Sequence, residues 1–196
     1  MKRVFRDIFL ANHWASPESI SGIGSEMGAT VQIRRELPRI FRQYSVKVFL
    51  DAPCGDFNWM KAVDLSGVHY VGIDIVDELA ASCRWKYESD RREFYSADIT
   101  KDALPVADLV LCKDCLIHLC FADCLAALRN FKRHGIRLLM SNTNPEVELN
   151  VDKPTGDYRR LNLQAAPFNF PAPLESFPWN DAVMGLWDIS QLPLPD

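Results

Sequence analysis

The chain has 196 residues, with 22 basic and 26 acidic side chains and a formal net charge of −4. This length is enough for one domain with a hydrophobic core that needs neither disulfides nor metals. Without a basic face the composition argues against nucleic acid as a partner, and the broken apolar run at the N terminus fits neither a signal peptide nor a membrane anchor. We therefore expect a cytoplasmic protein with no membrane contact.

Six cysteines without a secretory signal are expected to be reduced thiols. Four of them lie near His118 and resemble a metal-binding cluster in spacing: Cys112, Cys115, Cys120 and Cys124. However, Cys112 ends a β-like run and Cys120 and Cys124 are one helical turn apart, whereas metal ligands converge from turns. Small buried core residues are the preferred interpretation, and we predict no metal.

The first 44 residues predict a helical extension. After a first helix-like segment, a loop rich in Ser and Gly leads to a helical period from Glu26, with a kink or restart at Pro38. The apolar face of this second helix is Ile33, Leu37, Ile40, Phe41 and Tyr44.

From Val46 onward, β-rich runs alternate with helical patterns. The predicted strands are VKVFLD, HYVGID, REFYSAD, VADLVLC and IRLLMSN, and the predicted helices are FNWMKAV and two longer segments at about 76–88 and 121–133. Two further runs, YRRLNL and VMGLWDIS, are predicted to pair antiparallel at the sheet edge. The fold class is therefore α/β: a Rossmann-like, doubly wound, mostly parallel seven-stranded sheet with an N-terminal helical extension.

We predict a single domain over residues 1–196. Its parts are the extension at 1–44, a ligand-binding core at 45–142, and a segment of loops and edge strands at 143–196.

The turn DAPCGDF follows the first strand, where ligands of open α/β sheets collect. Gly55 lets the backbone approach a ligand, and a helix starting near Asp56 or Phe57 would direct its N terminus at the site. The turn has only one glycine, and GIGSEMG at 22–28 follows a loop and has Met27 at the third glycine position. An NAD(P)-dependent oxidoreductase is therefore a disfavoured alternative.

Acidic residues end three successive strands, at Asp51, Asp74 and Asp98. Each of them alone is equally well explained as a helix cap. Three in register indicate a ligand with an ammonium group, a ribose diol and an exocyclic amine, laid across the strand ends.

The segment from Val46 to Asn142 resembles the class I S-adenosylmethionine-dependent methyltransferases, whose first motif has the form acid-x-G-x-G-x-G. This resemblance implies that Asp51 and Gly55 line the methionine part of the cofactor S-adenosyl-L-methionine. It also implies a contact of Asp74, beside Ile75, with the ribose hydroxyls. The remaining cofactor residues that the resemblance implies are Asp98 and Ile99 at the adenine.

Pro53 and Phe57 stand at the first and third glycine positions of that motif. The DAPCG variant is similar to a bacterial branch of the family that also carries W-x-S and S-G-x-G-S elements upstream, here at residues 14–16 and 21–25. Cys54 has no His or Lys beside it that would activate a nucleophile, so we expect a small residue packed under the cofactor.

In this family the end of the fourth strand faces the transferable methyl, which places CKDCLIHL at the reaction. Asp114 and His118 are four residues apart, and on a helix they would form a pair able to act as a general base. Capping or packing is the alternative role for both. Lys113 is expected at the surface or as a contact on the cofactor side.

Beyond the fifth strand, Asn142, Asn144 and one of Arg159 and Arg160 are candidates for substrate binding. On a strand the two arginines would point to opposite faces, and we assign the role to Arg159, whose guanidinium would suit an anionic acceptor. The prolines and aromatic residues from 165 to 179 are expected to cover the sheet edge, with a lid over the acceptor as the alternative.

The sequence thus predicts a methyltransferase that acts on an oxygen or nitrogen of a small-molecule or sugar-like acceptor. The alternatives are a protein methyltransferase and a catalytically silent S-adenosylmethionine-binding partner subunit. The sequence sets no expectation for the oligomeric state.

Overall fold

The computed structural model describes residues 1–194, so the predicted C-terminal boundary at residue 196 lies outside it. Internal contacts divide the chain into two compact units, Met1–Asp98 and Ile99–Asp196. The prediction of a single domain stays a prediction. No helix within residues 1–194 is long and apolar enough to cross a membrane.

The first unit contains three helices and three parallel strands. The helices are α1 (Lys2–Leu10), α2 (Val31–Gln43) and α3 (Asp77–Tyr87), and the strands are β1 (Val48–Asp51), β2 (His69–Asp74) and β3 (Arg92–Ser96). The strands lie in the order β3-β2-β1. As predicted, α2 buries Ile33, Leu37, Ile40 and Phe41, although it begins five residues later than Glu26 and continues through Pro38.

Helix α1 has no buried residue and is held to the first turn of α3 by two ion pairs. Lys2 Nζ lies 2.7 Å from Asp77 Oδ1, and Arg6 Nε lies 2.6 Å from Glu78 Oε1. Because acidic residues stabilise a helix N terminus, Asp77 and Glu78 serve both α3 and its contact with α1.

The second unit contains helix α4 (Phe121–Arg133) and four strands, β4 (Leu109–Cys112), β5 (Leu138–Thr143), β6 (Glu175–Trp179) and β7 (Ala182–Asp188). The strands lie in the order β4-β5-β7-β6, with β4 and β5 parallel and β7 antiparallel to both of its neighbours. The seven strands and their helices confirm the predicted fold class, a mostly parallel Rossmann-like sheet with one antiparallel hairpin.

Two predicted elements are wrong. The segment FNWMKAV forms only one 3-10 turn, Met60–Ala62, because Phe57 has a left-handed backbone (φ +61°) that a helix cannot contain. The run YRRLNL is not a strand, and the edge strand that pairs with β7 is β6. No helix N terminus therefore follows β1 to attract an anion.

Phe57 is strained in its backbone but buried in its side chain, with 1% exposure. Its ring lies 5.1 Å from Tyr70, 5.0 Å from Tyr87 and 5.2 Å from Phe94, measured between ring centroids. This aromatic cluster under the β1 turn gives the third glycine position of the motif a packing role. Such packing offsets a left-handed conformation that costs about 1–2 kcal/mol.

Replacement of this ring should destabilise the protein strongly. We expect Phe57→Ala to lower the free energy of unfolding by about 3–5 kcal/mol, because it leaves a cavity among three aromatic rings. Chemical denaturation measures this, with Trp85→Ala as the control, since Trp85 is 85% exposed. A loss below about 1 kcal/mol would contradict the role given to the cluster.

Candidate active site

Gly55 is the residue on which the turn after β1 depends. Its φ is +56°, and a Cβ added there would lie 2.2 Å from Ser21 Oγ. The Gly55 N–H donates to Asp74 Oδ2 at 3.1 Å. Only glycine permits this conformation with a second segment so close, which explains why this glycine remains in a motif that has lost the other two.

Asp74 ends β2 and is 6% exposed. Its Oδ1 accepts from the Val76 N–H at 2.9 Å, and the N–H groups of Gly55 and Ile75 also favour the ionised form. Burial outweighs these bonds and raises the pKa of Asp74 to about 6. A carboxylate has about four acceptor positions, so this one keeps room for one hydroxyl donor. That chemistry fits a ribose.

The three strand-end carboxyl groups belong to one edge of parallel strands, but they are not in register. Asp51 pairs with Gly72, so Asp74 lies two residues further along β2. Asp74 in turn pairs with Ser96, two residues before Asp98. The step from Asp51 to Asp74 is about 7 Å at the usual rise of a strand, and Asp98 lies two residues beyond the end of β3. The predicted alignment is wrong, because the three carboxyl groups lie at successive positions along the strand direction.

Asp51 and Cys54 are both buried in the floor of the turn. Asp51 Oδ2 accepts from the Tyr70 hydroxyl at 2.8 Å. A hydrogen bond with Cys83, together with burial and the carboxyl groups of Asp74 and Asp51, raises the pKa of the Cys54 thiol well above its usual range. A thiol with a raised pKa is a poor nucleophile, in accord with a packing role.

An N-terminal strap, defined here as residues 16–27, binds the turn through Asp56. The Ser19 hydroxyl donates to Asp56 Oδ2 at 2.9 Å and the Ile20 N–H to the same oxygen at 3.1 Å. The Asp56 N–H donates to Ser21 Oγ at 3.0 Å. Side-chain oxygens thus replace the glycine-rich backbone of the usual motif in holding the turn.

A second anchor of the strap is Asn58. Its Nδ2 donates to Glu18 Oε1 at 2.7 Å and to the Ser25 carbonyl at 3.2 Å, while Glu18 Oε1 also accepts from the Met27 N–H at 2.8 Å. Sequence reasoning selected S-G-x-G-S but missed Asp56 and Asn58 as its partners. Their spacing, an acid and an amide two residues apart after a glycine, is a signal of such a side-chain-bonded turn.

In the second unit, Lys113 and Asp114 follow β4. Lys113 Nζ lies 2.6 Å from Asp114 Oδ2 and 5.0 Å from the Trp179 ring centroid, and the lysine is 7% exposed, so the expectation of a surface residue is wrong. The Asp114 N–H donates to Asn142 Oδ1 at 2.8 Å. The two candidates Asp114 and Asn142 are therefore brought together.

His118 ends a single 3-10 turn, Leu116–His118, and Asp114 has a left-handed backbone (φ +49°). The assumption of a helix that carries both residues is wrong. His118 Nδ1 lies 3.3 Å from the Asp157 carbonyl oxygen. Burial lowers the pKa of His118, with a smaller opposing effect of Asp114, so the imidazole is neutral at pH 7.

Arg159 lies beside His118 because residues 156–159 run along the 3-10 turn. The Gly156 N–H donates to the His118 carbonyl at 2.8 Å, and the Arg159 N–H to the Ile117 carbonyl at 3.1 Å. Arg159 is 6% exposed, whereas Arg160 is exposed and paired with Asp181 at 2.5 Å. The two arginines thus differ in burial, although no strand produces this difference, and a substrate-binding role of Arg159 stays a prediction.

Asn144 and Ile99 contribute mainly to local structure. Asn144 Oδ1 accepts from the Leu161 N–H at 3.3 Å, and its Nδ2 donates to the Asp181 carbonyl at 3.2 Å. The Ile99 carbonyl accepts from Asn130 Nδ2 at 3.0 Å. Within residues 1–194 no group of three His, Cys, Asp or Glu side chains is arranged to hold a metal ion.

Comparison with known proteins finds a methyltransferase domain in part of the chain. Residues 50–136 match the family model described as a methyltransferase domain, which spans the turn, the strand-end carboxylates and α4. No curated protein matches the chain.

Solved structures resemble the chain in fold. A 1,6-didemethyltoxoflavin-N1-methyltransferase from Burkholderia thailandensis, with S-adenosylhomocysteine bound, has a TM-score of 0.65 at 16% identity and covers 94% of this chain and 86% of its own. A Leishmania major S-adenosylmethionine-dependent methyltransferase has a TM-score of 0.64 at 14% identity and covers 94% of this chain and 82% of its own. Magnesium protoporphyrin IX methyltransferase from Synechocystis, with S-adenosylhomocysteine bound, has a TM-score of 0.57 at 16% identity and covers 75% of this chain and 74% of its own.

At these identities the structures establish the fold, and the family match adds the chemistry. The match over residues 50–136, together with neighbours that bind S-adenosylmethionine or S-adenosylhomocysteine, supports an S-adenosylmethionine-dependent methyltransferase.

The close approach of Ser21 to Gly55 makes a substitution there severe. We expect Gly55→Ala to weaken binding of S-adenosylhomocysteine at least tenfold, because the turn must move away from Ser21 and Asp74. Calorimetric titration measures this. Gly67→Ala is the matched control, since Gly67 also has a positive φ (+79°) but nothing within 4 Å of an added Cβ. It should cost about 1 kcal/mol of stability and leave affinity intact. Equal affinities of the two variants would refute the requirement for a close approach.

Proposed function

We propose that this enzyme methylates an oxygen or nitrogen of a small-molecule acceptor, with His118 as the general base. The lowered pKa of His118 is the observation that carries this proposal. A neutral imidazole whose Nδ1 faces the Asp157 carbonyl carries its proton on Nδ1, so the lone pair belongs to Nε2. The group is thus prepared to accept a proton at neutral pH.

When bound, the cofactor supplies an electrophilic methyl group on a sulfonium. Asp74 would accept from a ribose hydroxyl, and Asp51 and Gly55 would line the methionine part, with Cys54 packed beneath. Ile75 would border the ribose, while Asp98 and Ile99 would meet the adenine. His118 Nε2 would take the proton that the acceptor hydroxyl or amine loses on methylation.

Asp114 positions the chain that leads to His118. Its carboxylate pairs with Lys113, and its N–H is held by Asn142, which fixes the chain direction leading into the His118 turn. Its negative charge still favours the imidazolium that forms during the reaction. Lys113, buried against Trp179, keeps Asp114 oriented. Asn142, Asn144 and Arg159 complete the acceptor side.

A small acceptor is supported by two similar structures, the methyltransferases of 1,6-didemethyltoxoflavin and of magnesium protoporphyrin IX. The moderate net charge of −4 offers no surface for RNA or DNA. A chain that binds S-adenosylhomocysteine but releases none during acceptor screening would instead be a silent partner subunit.

Binding of the cofactor should depend on pH through Asp74. Its raised pKa means that the folded protein favours the protonated form, so this group stabilises folding below its ordinary pKa of 3.8 and that contribution disappears as the pH rises through about 6. A ribose hydroxyl needs the ionised form. We therefore expect affinity for S-adenosylhomocysteine to fall about tenfold per pH unit below 6.

Calorimetry between pH 5 and pH 8 measures this dependence, and Asp74→Asn should bind more weakly and without the step. An unchanged affinity in Asp74→Asn at pH 8 would remove Asp74 from the cofactor site.

Substitution of the base should affect turnover and spare the cofactor. We expect His118→Gln to lower kcat about 100-fold or more, the usual contribution of general base catalysis, with S-adenosylhomocysteine affinity unchanged. In the wild type kcat/KM should rise with pH, with its inflection below the ordinary imidazole pKa of 6.5, and the variant should lose this rise.

His134→Gln is the matched control, because His134 Nδ1 also faces a carbonyl, that of Asn130, at 3.0 Å. Asp114→Asn should lower kcat less than His118→Gln does. Full activity in His118→Gln would show that the acceptor loses its proton without this residue.

A further inference from the structure

The Arg159 guanidinium is buried, and no carboxylate within residues 1–194 pairs with it. Its Nη2 donates only two long bonds, to the Leu116 carbonyl at 3.4 Å and to Cys124 Sγ at 3.5 Å. Its Nε and Nη1 are buried and have no hydrogen-bond partner among residues 1–194. Most of the donor capacity of this side chain is therefore unused.

The neighbouring cationic side chains have carboxylate partners. Lys113 is buried but paired with Asp114 at 2.6 Å, and Arg160 is exposed and paired with Glu146 and Asp181. Arginine cannot lose its proton at accessible pH, so burial cannot be relieved by neutralisation. A buried unpaired charge is unfavourable, which makes a ligand the natural source of the missing anion.

Apolar groups surround this cation. The Arg159 Cζ lies 4.9 Å from the Phe121 ring centroid, and the Phe121 ring meets Phe168 edge to face at 5.5 Å. The Cys124 thiol is itself un-ionised, because burial raises its pKa to about 12. No neighbouring thiolate therefore competes for the guanidinium. A ligand here needs an anionic group for Arg159 and an apolar body for the aromatic wall.

We propose that Arg159 binds a carboxylate or phosphate group of the methyl acceptor, so that the substrate is a small organic anion with an apolar or aromatic portion. This inference rests on the proposed methyltransferase function and adds the class of acceptor. A carboxylate or phosphate accepts two hydrogen bonds from either fork of a guanidinium, Nη1 with Nη2 or Nε with Nη2. Bound there, the anion lies beside His118.

The anion also has an electrostatic consequence. Arg159 and Lys113 both lower the pKa of His118 through their positive charge. An anion on Arg159 offsets one of these charges and makes the imidazole a stronger base only when the acceptor is present. The His118 ring resonance therefore reports binding at a neighbouring site.

The test uses inorganic phosphate, acetate and benzoate as probes with the whole protein. We expect each anion to shift the Arg159 Nε–H resonance and to raise the apparent pKa of His118 in NMR titrations, with benzoate binding tighter than acetate because of its ring. Arg159→Lys should weaken benzoate about 10- to 100-fold, and Arg159→Met should abolish the effect on His118. Arg160→Met, the adjacent and exposed arginine, is the matched control and should behave as wild type.

Stability separates a binding role from a structural one. Without anion, Arg159→Met should unfold at the same temperature as wild type or higher, because an uncompensated charge is removed. With phosphate or benzoate, the wild type should rise in unfolding temperature and the variant should not. A lower unfolding temperature of the variant without anion, or no response of the wild type to any of the three anions, would overturn the proposal.

The methionine part of the cofactor also carries a carboxylate. A second experiment distinguishes binding of that carboxylate from binding of the acceptor anion. Arg159→Met is titrated with S-adenosylhomocysteine and with 5′-methylthioadenosine, which lacks that carboxylate. Equal affinities of variant and wild type for both compounds support the acceptor. A loss confined to S-adenosylhomocysteine assigns Arg159 to the cofactor and overturns the proposal.

The outcomes also distinguish this inference from the function on which it rests. Methyl transfer to neutral acceptors alone, with no response to anions, would leave the methyltransferase intact and refute the role of Arg159. Anion binding at Arg159 in a protein that transfers no methyl group to any acceptor would refute the proposed function and its acceptor together, although the anion site itself would remain.

Discussion

The bond from the Gly55 N–H to the Asp74 carboxylate is the contact on which the cofactor side of this enzyme depends. The same carboxylate accepts from the Val76 N–H and so joins the turn after β1 to the start of α3. Its burial raises the pKa to about 6, so the carboxylate is mostly ionised at neutral pH. One side chain thus orders the backbone and retains acceptor capacity for a ligand.

The N-terminal strap explains how this turn functions with a single glycine. In a glycine-rich turn, conformational freedom lets the backbone approach a ligand. Here Ser19 and Ser21 bind Asp56, and Ser21 occupies the space that a Gly55 side chain would need. Side-chain hydrogen bonds supply the rigidity, and Phe57 contributes through its aromatic cluster. Because the strap belongs to the helical extension, that extension holds the turn after β1 in place.

The charges of the acceptor side are distributed unevenly. Lys113 has its carboxylate partner, whereas Arg159 is buried with two nitrogens unbonded. Functional sites commonly retain features that reduce stability, because a ligand supplies the missing interaction. The lowered pKa of His118 belongs to the same pattern, since burial and two nearby cations keep the imidazole neutral. The positions of the charged groups around His118, more than any single contact, determine the chemical properties of the acceptor side.

Local pattern in the sequence was sufficient for α3, α4 and the first five strands, because apolar periodicity reports which face of an element is buried. It also singled out Asp74 at the end of β2 and Gly55 in the turn after β1, whose cofactor roles stay predictions. Three other features depend on residues distant in the chain. Strand register sets the stagger of the three carboxylates, and the rings of Tyr70 and Phe94 surround the left-handed Phe57. The turn at 116–118 contacts the segment that carries the buried Arg159. Tertiary packing alone decided these features, since a local period carries no information about which distant groups will surround a side chain.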